Sequence, residues 1–140
     1  MPNYSVRSES RLLQCSPKIQ LVFRNVIKVV DNTILTGHRT EFVQNKKFYA
    51  KPQQSKVKWP NGKHNSIPSQ AIDAAPWPIP ENWGENHWKD KVKFYQFASI
   101  VMYEAEKLGI ALRWGGDWDG DGNYKDQTFD DLVHFEELNP

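Results

Sequence analysis

One cysteine, Cys15, stands alone among 140 residues, which excludes an internal disulfide and any metal site built from several thiolates. A metal in this chain has to be held by histidine and carboxylate. Neither sign of charge dominates: 18 Lys and Arg face 17 Asp and Glu, a net of +1, which provides no long-range field to draw in nucleic acid. No apolar run approaches the length that spans a bilayer, and Met1-Pro2-Asn3-Tyr4-Ser5-Val6-Arg7 lacks the apolar core of a secretion signal. The expectation is a chain kept in the cytosol, with neither membrane insertion nor nucleic acid among its roles.

What remains is the composition of an ordinary globular protein, 39% hydrophobic and 25% charged, with six tryptophans as its one oddity. The length suits one core and not two, so residues 1–140 are read as a single domain, with a monomer as the default.

Ser16-Pro17 reads as a helix cap followed by a first-turn proline, and Ile19, Val22, Phe23, Val26, Ile27 and Val30 continue at helical spacing to about Asp31-Asn32. Thr33–Thr36 is a short β-prone run stopped by Gly37, and Thr40 opens a second helical pattern reaching Ala50, with Arg39 at the junction. Lys51 to Lys63 is a long polar loop. Ala71–Ala75, bounded by Pro68 and Pro76, reads as a buried strand carrying Asp73, and the proline-rich stretch from Pro76 to Trp83 as an irregular arm. A long helix from Asp90 to Leu108 is stopped by Gly109; Ile110–Trp114 and Leu132–Glu136 are the remaining strands. The order of elements predicts an α+β fold with a small, largely antiparallel sheet flanked by helices.

The chemistry-bearing residues are His64, Asp73, Asp131 and His134: two imidazoles and two carboxylates. Hydrolytic zinc sites use three nitrogen or oxygen ligands plus a water, with a separate carboxylate to move protons, and the inventory matches that division. The four are scattered, so spacing leaves metal ligands and ordinary hydrogen-bonded side chains both open.

The run Ser66 to Pro76 around Asp73, His64 upstream of it, Asp131-Leu132-Val133-His134, and Thr36-Gly37-His38-Arg39 followed by Gln44 resemble the zinc D-alanyl-D-alanine carboxypeptidase and L-alanyl-D-glutamate endopeptidase family, in particular its phage endolysins. The resemblance covers nearly the whole chain, with all motifs in order. It implies a hedgehog/DD-peptidase-like fold, a zinc held by His64, Asp73 and His134, Asp131 as general base, and Arg39 polarising the scissile carbonyl. It also implies peptidoglycan stem peptide as substrate, and a protein held in the host cytoplasm until a holin opens the membrane. Three departures stand out: Gly62 where the family usually has Ser, a gap from His64 to Asp73 two residues longer than the shorter family pattern, and Asp rather than Glu as the base. Strict strand alternation would put Asp130, not Asp131, on the His134 face, so Asp131 requires a turn or bulge before Leu132.

Other features have two readings each. Asp117, Asp119 and Asp121 offer the opening of a calcium loop, but Thr128 stands where a bidentate Glu belongs, so a weak calcium site competes with a solvated acidic turn. His38 and His87 are read as surface or supporting residues. Trp77, Trp83, Trp88, Trp114 and Trp118 suit either an aromatic wall for substrate or, more commonly, core and loop anchoring. Lys46, Lys47, Lys51, Lys56 and Lys58 either touch an anionic wall or are simply solvated. The sequence thus predicts a zinc peptidoglycan endopeptidase cleaving L-alanyl-D-glutamate. A D-alanyl-D-alanine carboxypeptidase and a non-catalytic wall-binding or virion module of the same fold are the alternatives.

Overall fold

The computed structural model describes residues 2–81, 88–121 and 131–138. Its first element, α1 (Val6–Leu12), is a helix that the apolar pattern does not announce. Ser5 caps it, its Oγ accepting the Ser8 N–H at 3.1 Å, and Leu12 is buried while Val6 is exposed. A two-turn helix with one buried apolar side chain has too little periodicity to be read. Polar side chains do the rest of the docking: Ser8 Oγ accepts the Ile34 N–H at 3.0 Å, Arg11 Nη1 donates to the Ile34 carbonyl at 3.0 Å, and Glu9 pairs with Arg24.

In α2 (Pro17–Val26), Ser16 Oγ accepts the Ile19 N–H and Ile19, Val22, Phe23 and Val26 are buried. The helix stops short of the predicted Asp31-Asn32. The Lys28 and Val29 N–H groups turn back to the Asn25 and Val26 carbonyls, a tightening that ends the α-helix, and Val29 faces solvent. β1 (Asn32–Thr36) follows, then α3 (Glu41–Phe48), which is capped by Thr40 and buries only Gln44. The loop after it leads to a 3-10 turn, Lys63–Asn65, and then to β2 (Ala71–Pro76). α4 (Trp88–Lys107), β3 (Leu112–Gly115) and β4 (Asp131–Glu137) complete the described elements. Gly109, at φ 69°, makes the left-handed exit after α4 that its position predicted. Trp83 and His87 lie outside the described residues, as do Asp130 and Thr128.

The four described strands pair in the order β1-β2-β4-β3, every pair antiparallel, which is the α+β architecture expected. One face carries the core: Phe135 on β4 meets Phe23 of α2 edge-on at 5.9 Å and Phe97 of α4 at 6.1 Å, above Ile72. Cross-strand partners share a face, so the pairing of Asp73 with His134 and of Arg113 with Glu136 collects these four on the other face. Next to them the β3–β4 ladder is irregular. Trp114 pairs with Phe135, but the next residue, Gly115, pairs with Asp131. The sequence predicts a turn or bulge before Leu132; the irregularity in the ladder falls within the span from Asp131 to Phe135.

Candidate metal centre and groove

Three elements converge on one point. His64 comes from the 3-10 turn, Asp73 from the middle of β2 and His134 from the facing position on β4. His64 Nε2 lies 3.1 Å from Asp73 Oδ1 and 3.3 Å from His134 Nδ1, which is itself 3.2 Å from Asp73 Oδ1. All three residues are buried. The tautomers follow from their other partners. His64 Nδ1 must donate to the Gly37 carbonyl, 2.7 Å away, and His134 Nε2 donates to Glu136 Oε1 at 2.8 Å. Neutral imidazoles so held turn two nitrogen lone pairs and a carboxylate oxygen toward one another. Such an arrangement demands a cation or a proton in the middle.

A tetrahedral zinc ion with ligands at about 2.0–2.1 Å spaces them roughly 3.3–3.4 Å apart, close to the separations here. Each imidazole also has the outward hydrogen bond that metal-bound histidines use to fix their orientation. In the metal-free chain the proton substitutes. Burial alone would lower the His134 pKa, but hydrogen bonds from its ring to Asp73 and Glu136 push it up to about 9. Burial alone would raise the Asp73 carboxyl; the charge on His64 and hydrogen bonds from both histidines instead hold it well below the usual carboxylate range.

The centre sits in a groove of about 760 Å³ lined by Arg39, Gln44, Asp131 and Trp118 among others. Asp131 reaches it because Gly115 has no side chain: a Cβ there would lie 2.1 Å from the Asp131 carbonyl oxygen. Burial and the nearby charge of Asp73 raise the Asp131 pKa, with His134, His64 and Arg39 opposing. The Arg39 N–H donates to the His64 carbonyl at 2.7 Å, while its guanidinium reaches Asp73 Oδ2 at 3.3 Å and Gln44 Oε1 at 3.1 Å. The acid that Arg39 pairs with is therefore Asp73. Gln44, the one buried residue of α3, also accepts from Asn65 and donates to the Val57 carbonyl, tying the long loop to the site.

Two departures from the family pattern have local explanations. A Cβ at Gly62 would come within 2.7 Å of Asn65 Oδ1, which accepts the Gly62 N–H. The longer path from His64 to Asp73 is fastened along its length. The Gln70 N–H donates to the Lys63 carbonyl, and Ser69 exchanges backbone hydrogen bonds with Gln14 and Ser16.

Over residues 2–138 the sequence matches the family of phage L-alanyl-D-glutamate peptidases. The chain belongs to that family. It is 30% identical over 132 residues to the L-alanyl-D-glutamate peptidase of Escherichia phage T5, covering 89% of this chain and 87% of that one. Its fold is similar to that of the L-Ala D-Glu endopeptidase ChiX of Serratia marcescens, with a TM-score of 0.69, 97% of this chain and 90% of that one covered, and 23% identity.

In this phage-peptidase family member the remaining sequence candidates divide. Trp118 lies 5.5 Å from the His134 ring, whereas Trp114 is core and Trp77 is exposed. Lys47 and Lys56 line the groove; Lys46 lines a shallow recess elsewhere, Lys58 sits over the Tyr49 ring and Lys51 is exposed. Burial pushes the Cys15 thiol up to about 12, leaving no thiolate chemistry to it. His38 takes part through its backbone N–H, which donates to Gln14. Carboxylate oxygens of Asp117, Asp119 and Asp121 lie within 4.8 Å of one another on a half-buried to exposed turn. A solvated acidic turn looks the same, so they carry no part of the function proposed below. Glu136 is the residue that reading the sequence missed. Its signal was the alternation that puts positions 134 and 136 on one face. Among the described residues no helix is long and apolar enough to cross a membrane.

Proposed function

We propose that residues 1–140 form a single zinc peptidase domain that hydrolyses the L-alanyl-D-glutamate bond of peptidoglycan stem peptide. The observation that carries this is the position of Asp131: a carboxylate with a raised pKa lining the same groove as a converged His/Asp/His set, in a chain of the phage peptidase family. His64 Nε2, Asp73 Oδ1 and His134 Nδ1 would hold the metal. Zinc, when bound there, supplies Lewis acidity toward the scissile carbonyl and lowers the pKa of a bound water.

Asp131 takes a proton from the attacking water and returns it to the leaving amine. Its raised pKa suits both directions of transfer, and such help is worth roughly 10²–10⁴-fold. The Arg39 guanidinium offsets charge growing on the carbonyl oxygen, and its hold on Asp73 Oδ2 leaves Oδ1 for the metal. Lys47, Lys56, Lys63 and Arg113 give the groove cationic walls suited to a stem peptide bearing free carboxylates.

The test is mass spectrometry of purified peptidoglycan digested with wild type and with Asp131→Ala, zinc content being measured on both. New L-alanine C-termini and free D-glutamate amines from wild type alone, with about one zinc kept in each protein, support the proposal. Release of terminal D-alanine would make the chain a carboxypeptidase, and no cleavage by a folded, zinc-loaded protein would make it a wall-binding module.

A further inference from the structure

Glu136 is buried, lies two residues from His134 on the same sheet face, and uses its two oxygens differently. Oε1 accepts from His134 Nε2 at 2.8 Å; Oε2 accepts from Arg113 Nη2 at 2.8 Å and pairs with Lys63 Nζ at 3.2 Å. Arg113 belongs to β3 and stands opposite Glu136 in the ladder. Lys63 belongs to the 3-10 turn that carries His64, and it also donates to the Glu137 carbonyl. One carboxylate thus joins the strand carrying one imidazole to the turn carrying the other.

Taking a carboxylate and two cations out of water is costly, and removing one partner leaves an uncompensated charge, so the three side chains are held together as a unit. We infer that Glu136 is the positioning residue of the metal centre. It holds His134 in the tautomer whose Nδ1 lone pair faces His64 and Asp73, and through Lys63 it sets the distance between the two imidazoles. Arg113 orients the carboxylate so that Oε1 is left to the histidine. This rests on the proposed metal-binding role of the triad and assigns its support to a residue that never touches the metal.

The experiment measures zinc affinity by competition with a chromophoric chelator, and the visible spectrum of the cobalt(II)-loaded protein, for wild type, Glu136→Gln and Arg113→Gln. Metal-free circular dichroism checks that each is folded. Glu136→Gln should bind zinc about 10–100-fold more weakly and shift the cobalt bands, because a neutral amide no longer enforces the tautomer. Arg113→Gln, which leaves the carboxylate in place, should show the same change in smaller measure and serves if Glu136→Gln does not fold. Wild-type affinity and spectrum in folded variants would overturn the inference and leave the metal reading standing. A wild-type chain that binds no zinc would overturn both.

Discussion

The ring nitrogens of His134 make three polar contacts with different consequences: Asp73 and His64 on one nitrogen, Glu136 on the other. With its pKa raised to about 9 against an ordinary 6.5, the metal-free ring carries its extra proton at neutral pH. A zinc ion bound by this ring would have to expel it. Binding should therefore release roughly one proton per zinc below about pH 9 and strengthen as pH rises toward that value. Calorimetric titrations in two buffers of different ionisation enthalpy measure the release, and equal heats in both would contradict it. Arg39 is the other residue with a dual role. Arg39→Ala should reduce kcat more than it raises KM, since it removes charge compensation in the transition state, and it should weaken zinc less than loss of a ligand does. Steady-state kinetics on a stem-peptide substrate separate the two effects. Asp131 and Arg39 were both legible as candidates in the sequence. The partner of Arg39 was not, because Asp73 is 34 residues away and only folding brings it within 3.3 Å.

The strands explain why a site of such scattered origin closes. β2 and β4 are antiparallel neighbours in a register that sets Asp73 opposite His134; a slip of one residue would send one of them into the core. The irregular β3–β4 pairing then sets Asp131 opposite Gly115. Gly115→Ala should push Asp131 away, since the added Cβ would meet its carbonyl oxygen at 2.1 Å. The expected result is a loss of activity approaching that of Asp131→Ala with zinc content unchanged, read by peptidoglycan digestion and metal analysis. On the opposite face the sheet rests on Phe135 between Phe23 and Phe97, and Phe135→Ala should cost about 3–5 kcal/mol of unfolding free energy, measurable by urea titration. α2, α3, α4 and the four strands were readable from periodicity, caps and breakers. α1 was not, because its docking uses polar side chains in place of an apolar stripe.

Stability of the entire chain should follow both metal and pH. A ligand that binds only the folded state raises its stability by mass action, so chelation should lower Tm and added zinc restore it. In the metal-free protein two groups act in opposite senses. His134, with a raised pKa, contributes stability that is complete below about pH 6.5 and is lost as pH climbs to about 9. Burial tends to raise the Glu136 pKa, but hydrogen bonds from His134 and Arg113 pull it from 4.5 to about 2. Its contribution is complete above about pH 4.5 and disappears as pH falls toward 2. Thermal melts across pH should place the metal-free maximum between these flanks, and a flat profile would contradict the assignment. Composition and local pattern suffice for the kind of fold, for the exclusion of a thiolate metal site and for a short list of ligands, since caps, breakers and residue chemistry act over a few neighbours. The convergence of His64, Asp73 and His134, the admission of Asp131 past Gly115 and the support from Glu136 depend on strand register and on contacts spanning up to 74 residues. Those are settled when the sheet and its packed faces form together, which no stretch of neighbouring residues encodes.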